Sequence, residues 1–471
     1  MNYKKTVDFT LIIYFLIVAG SSGHQTKPPN IILIMADDLG WGDVGFNGNK
    51  RIKTPELDAM ARNGLVMSRF YAASAVCSPT RGSFLTGRHP ERYGITHANT
   101  GHMKPQEQTI AEILKSKGYT TGHFGKWHLG TLTVKEKDAN RGGPGGAAHY
   151  APPWENGFDV CFSTESKVPT WDPMVTPASD AQDIGNRTPG EHFGTYYWSG
   201  ENQKVTDNLE GDDSRVIMDR VIPFIDTASA SGKPFLSVIW FHTPHLPVLA
   251  GPAYRSRYPD YSEDQQHYYG SISAMDDQIG RLRRFIRAKG LAENTLIWFC
   301  SDNGPEGPAA VNRTQGSSGP FRGRKRSLYE GGIRVPGLVE WPAQIKPGQH
   351  TGLPVSTSDI FPTLLSVLGL DTNQDILPVD GIDILPLVRE EVEDRPSSIA
   401  FRFQNQQAIM DNRYKLYSSD NGDNFALFDL YEDPGEATDI ASSNPQIVSA
   451  MARELKNWLI SCEESNRGMD Y

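Results

Sequence analysis

Asn30-Ile-Ile-Leu-Ile-Met-Ala36, followed at once by Asp37-Asp38, is the stretch on which the fold turns. Its apolar residues run without alternation, so neither face of a strand built from them would meet water. Similar runs recur at Pro234-FLSVIW-Phe241 and Thr295-LIWF-Cys300, and Tyr119–Phe124 also reads as a strand. Helical patterns stand before three of them. Thr109-IAE-ILKSK-Gly118 carries a Thr-x-x-Glu capping box. Ser214–Ala230 and Tyr268–Lys289 precede the other two, and Thr54-Pro55 to Asn63-Gly64 has an N-cap, an early Pro and a Gly stop. Strands alternating with helices predict an α/β fold, a large, mostly parallel sheet sandwiched by helices.

The rhythm breaks twice. Residues 131–200 are rich in Gly, Pro, Trp and Asp and read as long ordered loops. From about residue 386, Ile399–Phe403, Ala408–Tyr417 and Ala426–Tyr431 read as short antiparallel strands, with a helix at Gln446–Ile460. The expected organisation is a catalytic domain over residues 24–385 and a small C-terminal α+β subdomain over 386–471. Lys4-Lys5, an apolar run from Leu11 to Ala19 and small residues to Gly23 have the layout of a secretory signal peptide over residues 1–23. No other apolar run is long enough to span a bilayer, so a periplasmic or secreted protein is expected.

With 471 residues the chain can bury a large core and a smaller one. Its net charge of −10 argues against nucleic acid or an anionic membrane as partner. An anionic substrate would need positive charge gathered locally. Four cysteines, Cys77, Cys161, Cys300 and Cys462, cannot staple so long a chain.

In open parallel sheets ligands sit beyond the carboxyl ends of the strands. Three strand runs end in polar residues: Asp37-Asp38, His242-Thr-Pro-His245 and Asp302-Asn303. Adjacent carboxylates repel unless a cation compensates them. Asp37, Asp38, Asp302 and Asn303 offer hard oxygen ligands and suit Ca²⁺ or Mg²⁺ better than Zn²⁺. Each pair taken alone could equally cap the turn that follows it.

Ala75-Val-Cys77-Ser-Pro79-Thr-Arg81-Gly-Ser-Phe-Leu-Thr-Gly87 resembles the Cys-x-Pro-x-Arg signature of the type I sulfatases. Gly118-Tyr-Thr-Thr-Gly-His-Phe-Gly-Lys126-Trp-His128 resembles that family's second signature, and Gly323-Arg-Lys325-Arg-Ser-Leu-Tyr-Glu a third stretch that supplies a lysine. The resemblance runs from about residue 30 into the C-terminal subdomain. It implies an alkaline phosphatase-like fold and hydrolysis of sulfate esters. It also implies that a maturation enzyme oxidises Cys77 to formylglycine, and that one Ca²⁺ is held by Asp37, Asp38, residue 77, Asp302 and Asn303. Arg81 would hold the ionised nucleophile. Lys126, Lys325 and His245 would surround the sulfate, with His245 or Lys325 protonating the leaving oxygen. His128 would take the proton that releases sulfate from residue 77. The substrate implied is a sulfated carbohydrate, such as a carrageenan or a glycosaminoglycan. A phosphonate or phosphate ester hydrolase and a silent sugar-binding relative are the competing readings.

Other readings stay open on the residues themselves. Cys77 could be a structural thiol before a helix with Pro79 near its first position. An unmodified thiol titrates near ~8.5 and is a modest nucleophile. His242 could contact sugar hydroxyls or satisfy a buried carbonyl. Arg322 and Arg324, with Arg326, could recognise a second anion, or be solvated or paired with Glu330. Trp41, His97, Trp154, Trp171, Tyr197 and Trp198 could stack on sugar rings or be buried in loop packing.

Overall fold

The computed structural model describes residues 27–178, 180, 182–370 and 377–471. The signal-peptide segment lies outside the described residues.

The opening run forms strand β1 (Asn30–Ala36), with Ile31–Met35 fully buried. Burying each such side chain stabilises the fold by about 1.5–3 kcal/mol. In chain order the rest of its sheet is β2 (Leu65–Met67), β3 (Thr120–Lys126), β4 (Val160–Thr164), β5 (Trp198–Gly200), β6 (Gln203–Lys204), β7 (Phe235–Trp240), β8 (Thr295–Ser301), β9 (Gly337–Glu340) and β10 (Gln349–Thr351). The spatial order is β10-β2-β9-β8-β1-β7-β3-β4-β5-β6. From β8 to β4 all neighbours run parallel, while β9 lies antiparallel between β8 and β2. The sheet is therefore large, mixed and mostly parallel. Apolar clusters fill both of its faces.

Helices α1 (Pro55–Asn63), α2 (Cys77–Thr86), α3 (Ile110–Ser116), α4 (Asp213–Ala230) and α5 (Glu263–Ala288) supply cover. The Thr109/Glu112 capping box forms as the spacing requires. Thr54 makes no side-chain cap on α1; its hydroxyl accepts from Gly45 N and donates to Asp58. Helix α5 begins five residues before the expected Tyr268, because Ser262 and Gln265 form a capping box upstream. Pro79 is the third residue of α2, after Cys77 and Ser78.

The stretch read as loops hides β4, a parallel strand whose polar Ser163 and Thr164 mask its pattern. In the C-terminal region, β11 (Ile399–Phe403), β12 (Gln406–Met410), β13 (Tyr414–Ser418) and β14 (Ala426–Asp429) form an antiparallel sheet, backed by α6 (Pro445–Asn466). The single strand expected over Ala408–Tyr417 is two, because Asp411 turns the chain by accepting from Arg413 N and Tyr414 N. One apolar cluster joins this sheet to Tyr71, Ala75, Val76, Leu328 and Ile333. The C-terminal sheet thus braces the loops that enter α2 and carry Lys325.

Candidate active site

The ends of β1, β8, β7 and β3 converge, and each delivers a polar residue just past its last apolar one. Asp37 N donates to Thr243 O at 3.0 Å and Asp302 N to Ala36 O at 3.1 Å, so the strand ends stay in register beyond the sheet. Gly125 has φ 104°, and a Cβ there would lie 1.9 Å from Trp240 O. Only glycine lets β3 approach β7 this closely and aim Lys126 at the centre. Asp38 (φ 65°) and His128 (φ 60°) both hold left-handed backbone, a strain that packed functional sites retain.

Asp37, Asp38, Arg81, Asp302 and Asn303 are buried. Arg81 Nη2 meets Asp302 Oδ2 at 2.6 Å and Asp37 Oδ2 at 3.5 Å, and Nη1 donates to Lys126 O. Its guanidinium lies 5.1 Å from the centre of the Trp240 ring. Lys126 Nζ meets Asp37 Oδ2 at 2.6 Å. Lys325 Nζ meets Asp38 at 2.7 Å and Glu306 at 3.3 Å. Asn303 Nδ2 donates to Asp38 Oδ1 at 2.7 Å.

Cys77 is the first residue of α2, whose N-terminal end carries positive backbone potential. Its Sγ lies 3.3 Å from His128 Nδ1. Ligand atoms of Asp37, Cys77 and Asp302 lie within 4.8 Å of one another, as do those of Asp37, Asp38 and His245.

Burial and neighbouring charge together set the protonation states. Burial works to raise Asp37, but Lys126, His245, Arg81 and Lys325 hold its carboxyl well below the usual range. Burial, with Asp37 beside it, pushes Asp302 up to about 7. Burial raises the Cys77 thiol, so an unmodified thiol here stays protonated and inert. His128 and His245 are held neutral, by burial first and by Lys126 next. Asn99 Oδ1 accepts from Asn140 Nδ2 and faces His128 Nε2 at 3.1 Å, which places the ring proton on Nε2. Nδ1, the atom facing residue 77, is left as the acceptor. His245 Nδ1 donates to Leu246 O at 2.6 Å, leaving its Nε2 3.8 Å from Asp38.

The site fits a hard divalent cation. Asp37 Oδ1 and Asn303 Oδ1 are buried acceptors without a partner, and the surrounding donor set is oxygen-rich.

The sequence-chosen residues Asp37, Asp38, Cys77, Arg81, Lys126, His128, His245, Asp302, Asn303 and Lys325 are thus brought together. His242 is not part of that group. It is fully buried, with Nδ1 on Asp213 at 2.8 Å and Nε2 on Thr164 at 2.8 Å, so no ring nitrogen is left for a sugar. Arg322 turns to Glu436 O and the Tyr329 ring, and Arg324 donates to Glu306 O. Glu330 pairs with Arg334 and Lys415 instead of these arginines. Tyr197 and Trp198 are fully buried, which removes them as sugar platforms. All four cysteines are free. Asn99 and Glu306 escaped the reading. Glu306 could have been found three residues past the strand-end Asn303, whereas Asn99 lies in a loop without local signal.

Fold and site together define a hydrolase of the alkaline phosphatase-like fold whose centre is built for an anionic ester. Residues 29–370 match the family described as Sulfatase, and residues 321–464 match the C-terminal family of N-sulphoglucosamine sulphohydrolase. The chain belongs to the sulfatase family and is a sulfuric ester hydrolase. Mouse steryl-sulfatase is 32% identical over 82% of this chain and 69% of its own length. Mouse N-acetylgalactosamine-6-sulfatase is 32% identical over 83% of this chain and 72% of its own. Among solved structures, Ps i-CgsB in complex with k-i-k-neocarrahexaose is similar with TM-score 0.77 and 27% identity, over 92% of this chain and 93% of that one. The phosphonate monoester hydrolase of Agrobacterium radiobacter shares the fold at TM-score 0.64 and 20% identity, over 93% of this chain and 96% of that one.

Proposed function

We propose that this chain removes sulfate from a sulfated carbohydrate such as a carrageenan oligosaccharide, with formylglycine at position 77 as nucleophile and calcium as its metal. One observation carries the reading: the Cys77 side chain faces both the Asp37/Asp302 acids and the free nitrogen of His128. Asp37, Asp38, Asp302 and Asn303 would hold the cation, with residue 77 beside them. Calcium, when bound, supplies charge that neutralises sulfate oxygens, and formylglycine, once formed by a maturation enzyme, supplies a hydrated aldehyde nucleophile.

The chain's own residues do the rest. Arg81 fixes Asp302 and keeps positive charge under residue 77. Lys126 and Lys325 draw the ester's negative oxygens into the cleft. His128 Nδ1 accepts a proton from the side chain at 77, and Asn99 holds the ring in that tautomer. Burial first, and then Lys126, disfavours a proton on His245; an anionic ester offsets the lysine charge and so favours a proton on Nε2 for the departing oxygen.

A sugar substrate is supported by the k-i-k-neocarrahexaose in complex with Ps i-CgsB and by the resemblance to N-acetylgalactosamine-6-sulfatase. A periplasmic or secreted location fits the leader-like pattern of residues 1–23, and no helix among the described residues is long and apolar enough to cross a membrane. Sulfate release from a panel of sulfated oligosaccharides, set against aryl phosphate and phosphonate esters, tests the reaction. Faster turnover of the phosphonate would overturn it. Mass spectrometry of the peptide spanning residue 77, from the native host, should show the aldehyde in place of the thiol. For the metal, Ca²⁺ at a hundred times its Kd should stabilise the protein by about 2.7 kcal/mol in thermal melts. Asp38→Asn should lose most of that gain.

A further inference from the structure

Beside the active site lies an open pocket of about 470 Å³ that the proposed reaction does not use. Lys137, Asn140, Arg141, His149 and the glycine-rich turn between them wall it. No carboxylate is among its lining residues, although the chain as a whole is acidic. Asn140 ties it to the site: its Nδ2 donates to Asn99 Oδ1 at 3.1 Å, and Asn99 holds His128.

Arg141 is built into the wall. Its Nε donates to Glu165 Oε1 at 2.8 Å and its Nη1 to Gly101 O at 2.6 Å. Its side chain is only 9% exposed, and Nη2 has no hydrogen-bond partner. A buried guanidinium N–H without an acceptor is costly, and Arg141 is one of the residues that line this pocket. Lys137 is exposed and its Nζ donates to Asn140 O, with no carboxylate ion-paired to it among the described residues. His149 Nδ1 lies 3.4 Å from His102 Nδ1. Burial first, with Arg141 and Lys104 nearby, holds His102 below its ordinary pKa. A Cβ at Gly146 would lie 1.6 Å from Arg141 O, so glycine lets the turn close firmly over the arginine.

We propose that this pocket is a second anion subsite, taking a sulfate ester or a carboxylate carried by the sugar that adjoins the one being cleaved. The inference rests on the reading of the substrate as a sulfated carbohydrate. It makes the enzyme selective for a polyanionic chain over a singly sulfated one.

The test compares wild type and Lys137→Glu on three probes. They are a tetrasaccharide with one scissile sulfate, the same sugar with a second sulfate on the adjoining unit, and the same sugar with a uronate there. Aryl sulfate turnover is the reference for each protein. The second anion should lower KM in wild type, and Lys137→Glu should cancel about fivefold or more of that gain while leaving kcat alone. Whichever anion gains more from Lys137 is the one the pocket prefers. An equal response to all three probes, or none, overturns the proposal. Arg141→Lys, which keeps a cation for buried Glu165, should fold as judged by its melt and lose part of the same gain. If aryl sulfate is turned over but no sugar is, the carbohydrate reading fails separately. The three sugars are then read as inhibitors of aryl sulfate turnover. Stronger inhibition by the doubly anionic sugars, lost in Lys137→Glu, still supports the pocket, and equal inhibition sinks it.

Discussion

Two of the buried charge clusters among the described residues do opposite work. At the strand ends, Asp37, Asp38 and Asp302 meet Arg81, Lys126 and Lys325. Where the C-terminal sheet meets the main body, fully buried Lys415 meets Glu330 at 3.0 Å and Glu436 at 2.9 Å. Tyr71 and Arg334 also reach Glu330. This second cluster links β13 to Tyr71 and Arg334 of the main body, and it sits beside the apolar cluster that joins the same two parts. The first is gathered around residue 77 and keeps the unpartnered acceptors Asp37 Oδ1 and Asn303 Oδ1. Burial and pairing are therefore shared by both; in the clasp the one acceptor without a hydrogen-bond partner, Glu436 Oε1, faces Lys415 at 2.9 Å, whereas Asp37 Oδ1 and Asn303 Oδ1 are left open beside residue 77.

Substitution should separate the clusters. The largest effect belongs to Cys77→Ser, expected to lower sulfate release by at least about a thousandfold with a stability change under about 1 kcal/mol. Turnover and a urea melt, run together, check it. A serine enzyme that works well would erase the distinction. Lys415→Met should do the reverse: leaving two buried carboxylates without their lysine costs about 3–5 kcal/mol in unfolding free energy. The fraction that remains folded should keep its rate per molecule. A normal melt with a collapsed rate would mean that the clasp also shapes the site.

A smaller effect comes from His89, which sits against Trp458 of α6 at the same junction. Burial lowers its pKa from 6.5 to about 4. The geometry agrees, because Nδ1 accepts from Glu91 N and Nε2 faces Ala73 O, an arrangement only the neutral ring can make. The folded pKa is depressed, so the stability it contributes is present above pH 6.5 and is lost as pH falls toward 4. At full extent that is about 3 kcal/mol. His89→Gln should flatten this acid limb of the stability curve, measured by melts from pH 4 to 8. An unchanged limb would place the acid sensitivity elsewhere.

Much of the centre was legible because its residues follow directly on buried strands. Asp37-Asp38 and Asp302-Asn303 each end an unbroken apolar run, and Cys77, Arg81 and Lys126 stand within signatures that need no long-range information. His242 and His245 show where that legibility stops. Three positions apart on one loop, they differ because Asp213 and Thr164, from α4 and β4, close around the first and leave the second facing Asp38. The polar end of β4 hid that strand from any reading of pattern.

The amino-acid order by itself set most of the strands, a helix starting near Pro79, the acids and bases available and the overall negative charge, because these follow from composition, burial and local backbone preference. The packed chain alone decided which of them touch. Asp38 and Asn303 stand 265 positions apart, and they meet because β1 is inserted beside β8. The same packing chose the tautomer of His128 through Asn99, and left Arg141 with an unanswered N–H beside the cleft. Contacts across such separations depend on strand order and side-chain packing, which no stretch of neighbouring residues encodes.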